Sequence, residues 1–464
     1  MEETLIKRSD ISIADFYKMN RDIIGEEVVI LDSPLKNSLS KKSYIFFDFR
    51  RRIIVKNKEI IDNGINIGKN DPFLYFEKEF EKEKIKELKK TDHFNFGAFL
   101  LFAYDCARYI EKLPNESLDD LELPDAVMYF PLQIIIKDEE EGKLYYLGNI
   151  KNNWKYETEI EKVDIYYNDI KKEEAENFIK NIEKEKFYEI VEKARNYIIE
   201  GDIFQVNLSQ RFEAEFLNGD SFELYRVLRE INPSPFASYV AISDFKIISQ
   251  SPERLIRLNN DNTADTRPIA GTRRFKSDTE TEMKKELLLS EKECAEHIML
   301  VDLERNDLGK VSKFGSVNVN ELMVIERYSH VMHIVSNVIG SIKEGISPFQ
   351  LIKAMFPGGT ITGAPKIRSM EIIEELEPTK RGFYTGSLGY IDFTGKMDIN
   401  IIIRTFIEKG EKLYFQTGAG IVFDSIPEKE YDETINKARA MILAYKNYMY
   451  GGEKNVKRDS ILFR

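Results

Sequence analysis

Cysteine is scarce. Only Cys106 and Cys294 occur among 464 residues, far apart and without Cys-x-x-Cys spacing. That argues against a disulfide framework and a structural zinc site, and it fits a reducing compartment. Histidine is nearly as rare: His93, His297, His330 and His333 are the whole supply, too few and scattered for a histidine metal cluster. Long apolar runs are missing. The best, FGAFLLFAY, falls well short of the roughly 20 residues that a membrane span needs. The amino-terminal MEETLIKRSD has no apolar signal core. Basic residues are outnumbered, 68 to 80, giving a net charge of −12. Such a surface repels nucleic acid and anionic membranes. The expectation is a cytoplasmic protein that engages neither.

Apolar residues make up 42% of the chain, enough for a large core. Over residues 1–150, runs such as EEVVILD, YIFFDF and VMYFPLQIIIK alternate with turns and read as strands. The Lys- and Glu-rich segment 76–90 reads as a solvated helix. Residues 151–180 are charged and read as a connection, residues 181–448 as the region carrying the chemistry, and residues 449–464 as a mobile tail. Within the central region, KEKFYEIVEKARNYIIEG reads as a helix closed by Gly201. Further helices are expected near 279–299, 348–356 and 364–377. Strands are expected at IFQVNLSQRFEAEF, FASYVAI, KIISQS, RLIRL, GSLGYIDF, INIIIRTF and KLYFQTGAGIVF, before a last helix. The predicted class is α+β with extensive antiparallel sheet.

Two acidic pairs stand out. In the last helix, Ser425 and Glu428 have capping-box spacing, and Glu430, Glu433 and Lys437 share one face. In SEKECAEHIMLVDLERND, Glu293 and Glu296 repeat the i, i+3 spacing. Each pair alone reads as an ordinary solvated face. Together, four carboxylates on two helices suit one hard divalent cation such as magnesium, which keeps waters and takes substrate oxygens. The turns FPGGTITGAPK and QTGAGIV can offer backbone N–H groups to an anion. Neither is a nucleotide motif: Ala364 stands where a P-loop needs lysine, and GAGIVF lacks a third glycine. A Cys294–histidine nucleophile is disfavoured by the acidic neighbours of Cys294.

The segments GDIFQVNLSQRF, SPERLIRL, RPIAGT, AEHIMLVDLERNDLGKV, FPGGTITGAPKIRSMEIIEELEP, GSLGYIDFTGKMDINIIIRT and GAGIVFDSIPEKEYDETINKARA resemble the chorismate-utilising enzymes over about residues 185–445. The resemblance implies a large α/β sandwich of two broad antiparallel sheets with helices outside. It implies Glu296 and Glu433 as magnesium ligands, supported by Glu293 and Glu430, with Glu253 as the acid that protonates a departing hydroxyl and His333 near that leaving group. It places Arg404, Tyr384, Gly418, Ala419 and Gly420 at the enolpyruvyl carboxylate, Gly271 and Thr272 at the ring carboxylate, and Lys437 beside the metal.

Gln205 stands where water-activating members of the family carry lysine. Glutamine cannot deprotonate water, which favours ammonia as the nucleophile. Neither cysteine lies in a Gly-x-Cys-x-Gly elbow, so the resemblance implies a separate glutamine amidotransferase subunit (component II) as the source of ammonia. Two branches aminate chorismate. Ala270 favours the anthranilate branch, since a methyl cannot form the covalent adduct that many aminodeoxychorismate synthases make through lysine. FPGGTITGAPK, Asn400 and the replaced tryptophan-pocket residues Asp32, Phe236 and Ala237 favour the aminodeoxychorismate branch, which is the expectation here. A catalytically idle binding subunit is the reading from another class. The full set of chemical residues speaks against it.

Overall fold

The strands Lys42–Lys56 and Ala126–Asp138 pair antiparallel over nearly their whole length and organise the computed structural model. It describes residues 2–8, 11–34, 41–86, 94, 96–149, 153–156, 163–166, 174, 178–274, 291–328 and 331–451. A register shift between Phe49 and Arg51, beside Asp48 in the left-handed region at φ 53°, breaks the long pair in its middle. Its two ends therefore carry different neighbours.

From one end the sheet runs through Val28–Asp32, Phe236–Ile242, Phe245–Ser251, Thr405–Lys409, Lys412–Ile421 and Gln205–Glu215. From the other it runs through Gly97–Phe102, Ser387–Asp392, Met397–Asn400, Arg254–Leu258, Thr263–Arg267 and Val331–Ser341. The last strand also pairs with Ile269–Arg274 and Asn318–Tyr328. All these pairings are antiparallel, so the α+β class is observed, with the two arms forming one large antiparallel sheet flanked by helices. Strands from the first 150 residues interleave with later ones, which makes the two halves of the chain interdependent.

The helices are α1 (Ile13–Ile24), α2 (Pro72–Lys86), α3 (Lys184–Ile199), α4 (Ser221–Ile231), α5 (Glu291–Val311), α6 (Pro348–Met355), α7 (Lys366–Leu376) and α8 (Pro427–Tyr450). Helix α3 ends where expected, with Gly201 just beyond it at φ 85°. Caps explain several other boundaries. The Ser12 hydroxyl accepts the Asp15 N–H at the start of α1, and Ser347 with Gln350 forms a full capping box on α6.

Four expectations need correction. Residues 1–150 hold a helix besides the one expected at 76–90, because α1 packs Ile13, Phe16, Tyr17 and Ile24 into the core. Helix α2 is not a solvated helix. Phe73, Phe76 and Phe80 are buried, and Glu79 and Glu83 turn inward to meet Arg51. The run INIIIRTF is not one strand. It breaks over residues 401–404, with Arg404 at φ 56°. Ser425 does not cap α8. Its hydroxyl accepts the Val422 N–H, and Ile426 is the uncapped boundary residue. Most of the connection at 151–180, residues 87–90 and 279–290 of two expected helices, and the tail from 452 onward lie outside the described residues.

Candidate active site

The segment 266–271 connects three ionisable groups on separate elements. Thr266 donates its hydroxyl to Glu304 of α5 at 3.3 Å. The Ile269 N–H faces the Glu253 carboxyl. Gly271 offers its carbonyl to His333 Nδ1 at 2.9 Å. A register shift after Ala270 and φ 60° at Gly271 put that carbonyl in place, a backbone state glycine adopts freely. Ala270 itself pairs with Ile334 and presents only a methyl.

Glu253 precedes the strand Arg254–Leu258 and is 5% exposed. Its Oε1 has no hydrogen-bond partner. Burial pushes its pKa up to about 8, and the charge of Glu304 adds to the rise. Glu253 is therefore a proton-bearing acid at neutral pH. The next residue, Arg254, is wholly buried. It reaches Asp398 at 2.8 and 3.0 Å and Asp265 at 3.2 Å, with Phe236 5.1 Å from its guanidinium. This clamp fixes the backbone at Glu253.

His333 is buried on the strand Val331–Ser341. Burial pushes its pKa down to about 4, and Arg404 and Lys437 act in the same direction. The ring is neutral at pH 7. Since Gly271 O can only accept, Nδ1 carries the proton and Nε2 is an acceptor.

The glycines of QTGAGIV lie within the strand Lys412–Ile421, where Gly418, Ala419 and Gly420 pair with Ser209, Leu208 and Asn207. A Cβ at Gly418 would come within 2.6 Å of Asn207 Oδ1 and 3.0 Å of the Tyr384 hydroxyl. At Gly420 it would come within 2.6 Å of Gln205 Nε2. Gly418 needs bare backbone, since Leu208 O also lies 2.7 Å from a Cβ there, whereas at Gly420 the flexible end of Gln205 closes over the backbone. Lys437 Nζ donates to Gly418 O at 3.0 Å and pairs with Glu433 at 2.7 Å. Arg404 Nη1 donates to Lys437 O at 2.8 Å, and Tyr384 and Glu433 lie within its electrostatic reach. The structure thus gathers Gln205, Tyr384, Arg404, Gly418, Gly420, Glu433 and Lys437, and Lys437 also influences Glu253 and His333. The Thr272 side chain lies outside the described residues.

Glu293 and Glu296 lie on α5, and Glu430 and Glu433 on α8. Both helices bear on Glu253, through Glu304 and Lys437 respectively. Among the described residues, no group of three or more His, Cys, Asp or Glu side chains forms a ready-made metal cage. The donor chemistry of the two pairs is wholly carboxylate oxygen. It suits a hard cation whose shell is completed by water and substrate.

Glu304 escaped the sequence reading. It is 2% exposed, accepts the Gly359 N–H at 3.1 Å, and burial pushes its pKa up to about 7. The signal was present: His297, Leu300, Val301, Glu304 and Leu308 follow helical spacing and are all buried. The suspected tryptophan-pocket residues do meet, in a separate cavity of about 200 Å³ lined by Asp32, Phe236, Ala237, Asp398 and Asn400. There Asp32 Oδ2 accepts from Tyr225 at 2.8 Å and Arg229 at 2.6 Å. Among the described residues, no helix is long and apolar enough to cross a membrane.

Residues 26–443 match the family model of the chorismate binding enzymes. Aminodeoxychorismate synthase component 1 of Bacillus subtilis (strain 168) is 44% identical over 384 residues, covering 80% of this chain and 81% of its own. Anthranilate synthase component 1 of Acetivibrio thermocellus is 45% identical over 386 residues, covering 78% of each chain. The crystal structure of anthranilate synthase component I from Streptococcus pneumoniae TIGR4 superposes with a TM-score of 0.76 at 33% identity, covering 94% of this chain and 99% of that one. The chain belongs to the chorismate binding enzymes and acts on chorismate.

Proposed function

We propose that this chorismate-utilising enzyme is the aminating component of an aminodeoxychorismate synthase, which converts chorismate and ammonia to 4-amino-4-deoxychorismate for 4-aminobenzoate and folate synthesis. The observation that carries amination is chemical: Glu253 supplies an acid, while Gln205 has no base with which to activate water. Glu253 gives its proton to the C4 hydroxyl, which leaves as water. Ammonia brings the nitrogen, and one of its protons returns to the Glu253 carboxylate. Neutral His333 accepts a hydrogen bond at Nε2 beside the leaving group. Arg404 and Tyr384 grip the enolpyruvyl carboxylate with the backbone at residues 418–420, and Gly271 and Thr272 serve the ring carboxylate.

Glu296 and Glu433, backed by Glu293 and Glu430, would hold magnesium. When bound, it neutralises and fixes the ring carboxylate. Ammonia comes from a glutamine amidotransferase partner, in keeping with the designation "component 1" of the named relatives. For nitrogen at C4, the support is the similarity to the Bacillus subtilis protein and the cavity residues Asp32, Phe236, Ala237 and Asn400.

Ala270 favours a second reading, anthranilate synthase component I. With only a methyl at that position, ammonia attacks C2 directly and pyruvate is eliminated. Product analysis decides. The enzyme is given chorismate, magnesium and ammonium, with and without an aminodeoxychorismate lyase. 4-Aminobenzoate that forms only with the lyase supports the first reading. Blue-fluorescent anthranilate without it supports the second, and consumption of chorismate with neither product sinks amination altogether.

A further inference from the structure

Glu253 and Glu304 are both buried and meet the same short stretch of strand: Arg254, next to Glu253, pairs with Arg267, and the adjacent Thr266 holds Glu304. Their surroundings differ in one respect. Glu253 keeps one carboxyl oxygen without a partner. Glu304 has both oxygens held, by the Gly359 N–H at 3.1 Å and the Thr266 hydroxyl at 3.3 Å. The same turn serves both groups, since Thr360, next to Gly359, borders the Glu253 carboxyl. No slack remains at Gly359 either: a Cβ there would sit 2.4 Å from Leu303 Cδ2 and 3.1 Å from Glu304 Oε1. Glu304 is thus fixed in place, while Glu253 has an oxygen left over for chemistry.

We propose that Glu304 is a positioning residue for the reaction: it forms an acidic pair with Glu253 and keeps that partner in its proton-bearing form. The proposal relies on the functional reading above only in taking Glu253 as the proton donor. Two carboxyls in one dry site cannot both ionise cheaply, so a charge on one holds the proton on the other. The facing charges agree with this arrangement. Glu253 is opposed by Glu304 from α5 and drawn the other way by Lys437 from α8. Glu304 is drawn toward ionisation by Lys366 from α7 and opposed by Asp307 of its own helix. Lys366 is itself paired with Asp307 and donates to Pro357 O at 2.6 Å. Glu304 is therefore the member suited to carry the charge, and Glu253 the proton.

The test follows protonation rather than turnover, so it stands whichever product the enzyme makes. Difference infrared titration of the full chain follows the C=O stretch of buried protonated carboxyls, with the Glu253 band identified by its loss in Glu253→Gln. In Glu304→Gln the midpoint of the Glu253 band is expected to fall by roughly one pH unit. Glu304→Asp, which keeps the charge, is expected to stay near the wild-type midpoint. Glu253→Gln mimics the protonated partner, so in it the Glu304 band is expected to keep its wild-type midpoint, below that of Glu253. An unchanged Glu253 midpoint in Glu304→Gln overturns the pairing, as does a fall in Glu304→Asp equal to that in Glu304→Gln. If Glu304→Gln does not fold by circular dichroism, the Glu253→Gln arm decides: a Glu304 midpoint at or above the wild-type Glu253 midpoint overturns the proposal, because Glu304 would then not be charged while Glu253 holds its proton.

Discussion

Replacing Glu253 with Gln should end turnover and, at alkaline pH, make the protein more stable. Burial lifts this carboxyl from its ordinary 4.5 to about 8. At pH 7 a group at 8 is about 90% protonated and one at 4.5 about 0.3%, roughly a 300-fold gain in available acid. The gain has a thermodynamic cost. Between those two values the unfolded chain has released the proton and the folded chain still holds it. The folded state binds more protons, so unfolding free energy falls as pH rises through that window. Integrated from 4.5 to about 8, the loss is on the order of 5 kcal/mol. Part of it belongs to coupled Glu304, so this is an upper figure for Glu253 alone. An uncharged Gln avoids the loss. For 464 residues the unfolding entropy corresponds to about 1 kcal/mol per degree, so the full effect is on the order of 5 °C in Tm. Differential scanning fluorimetry of wild type and Glu253→Gln at pH 5 and pH 8 measures it. The Tm difference is expected to move several degrees in favour of the variant between the two pH values. An identical difference at both would refute the burial-driven acid.

Three further outcomes are expected. Glu433→Ala abolishes turnover, and chelation of divalent cations does the same to wild type until magnesium is restored; near-normal rates in either case remove the metal assignment. Arg254→Met leaves partly buried Asp398 without its guanidinium and takes one of two arginines from buried Asp265, a loss of roughly 3 kcal/mol, so its Tm at pH 7 falls by a few degrees, and a wild-type Tm contradicts the clamp. Micromolar tryptophan leaves the rate of chorismate consumption unchanged, because Asp32 is already engaged by Arg229 and Tyr225; strong inhibition favours the anthranilate reading.

Strands were legible where apolar runs were long enough to be buried on both faces, as in VMYFPLQIIIK, whose residues are almost all inaccessible. The break at residues 401–404 was not. INIIIRTF has a strand's composition throughout, and only tertiary context places Arg404 in the left-handed region. Ser425 shows the same competition at shorter range: its local spacing suggested a cap, but the preceding turn claims the hydroxyl. Helix α1 was missed although Ser12 and Asp15 have N-terminal capping spacing and Ile13, Phe16, Tyr17 and Ile24 a helical period. Of the site, the residue types were readable and their meeting was not. Gln205 and Gly418 are brought together by a strand pairing between residues about two hundred apart, with Tyr384 arriving from a turn, and no local pattern encodes such distances.

The stitching of Glu304, Glu253 and His333 to residues 266–271 has an evolutionary corollary. Selection acting on any one of these groups reaches only that group, whereas a change of backbone path in this short stretch moves a charge, a proton donor and an imidazole together. Divergence of reaction outcome among proteins of this architecture then needs no wholesale rebuilding of the cavity. It needs a few substitutions along one ribbon, with the acids and the imidazole retained as fixed stock.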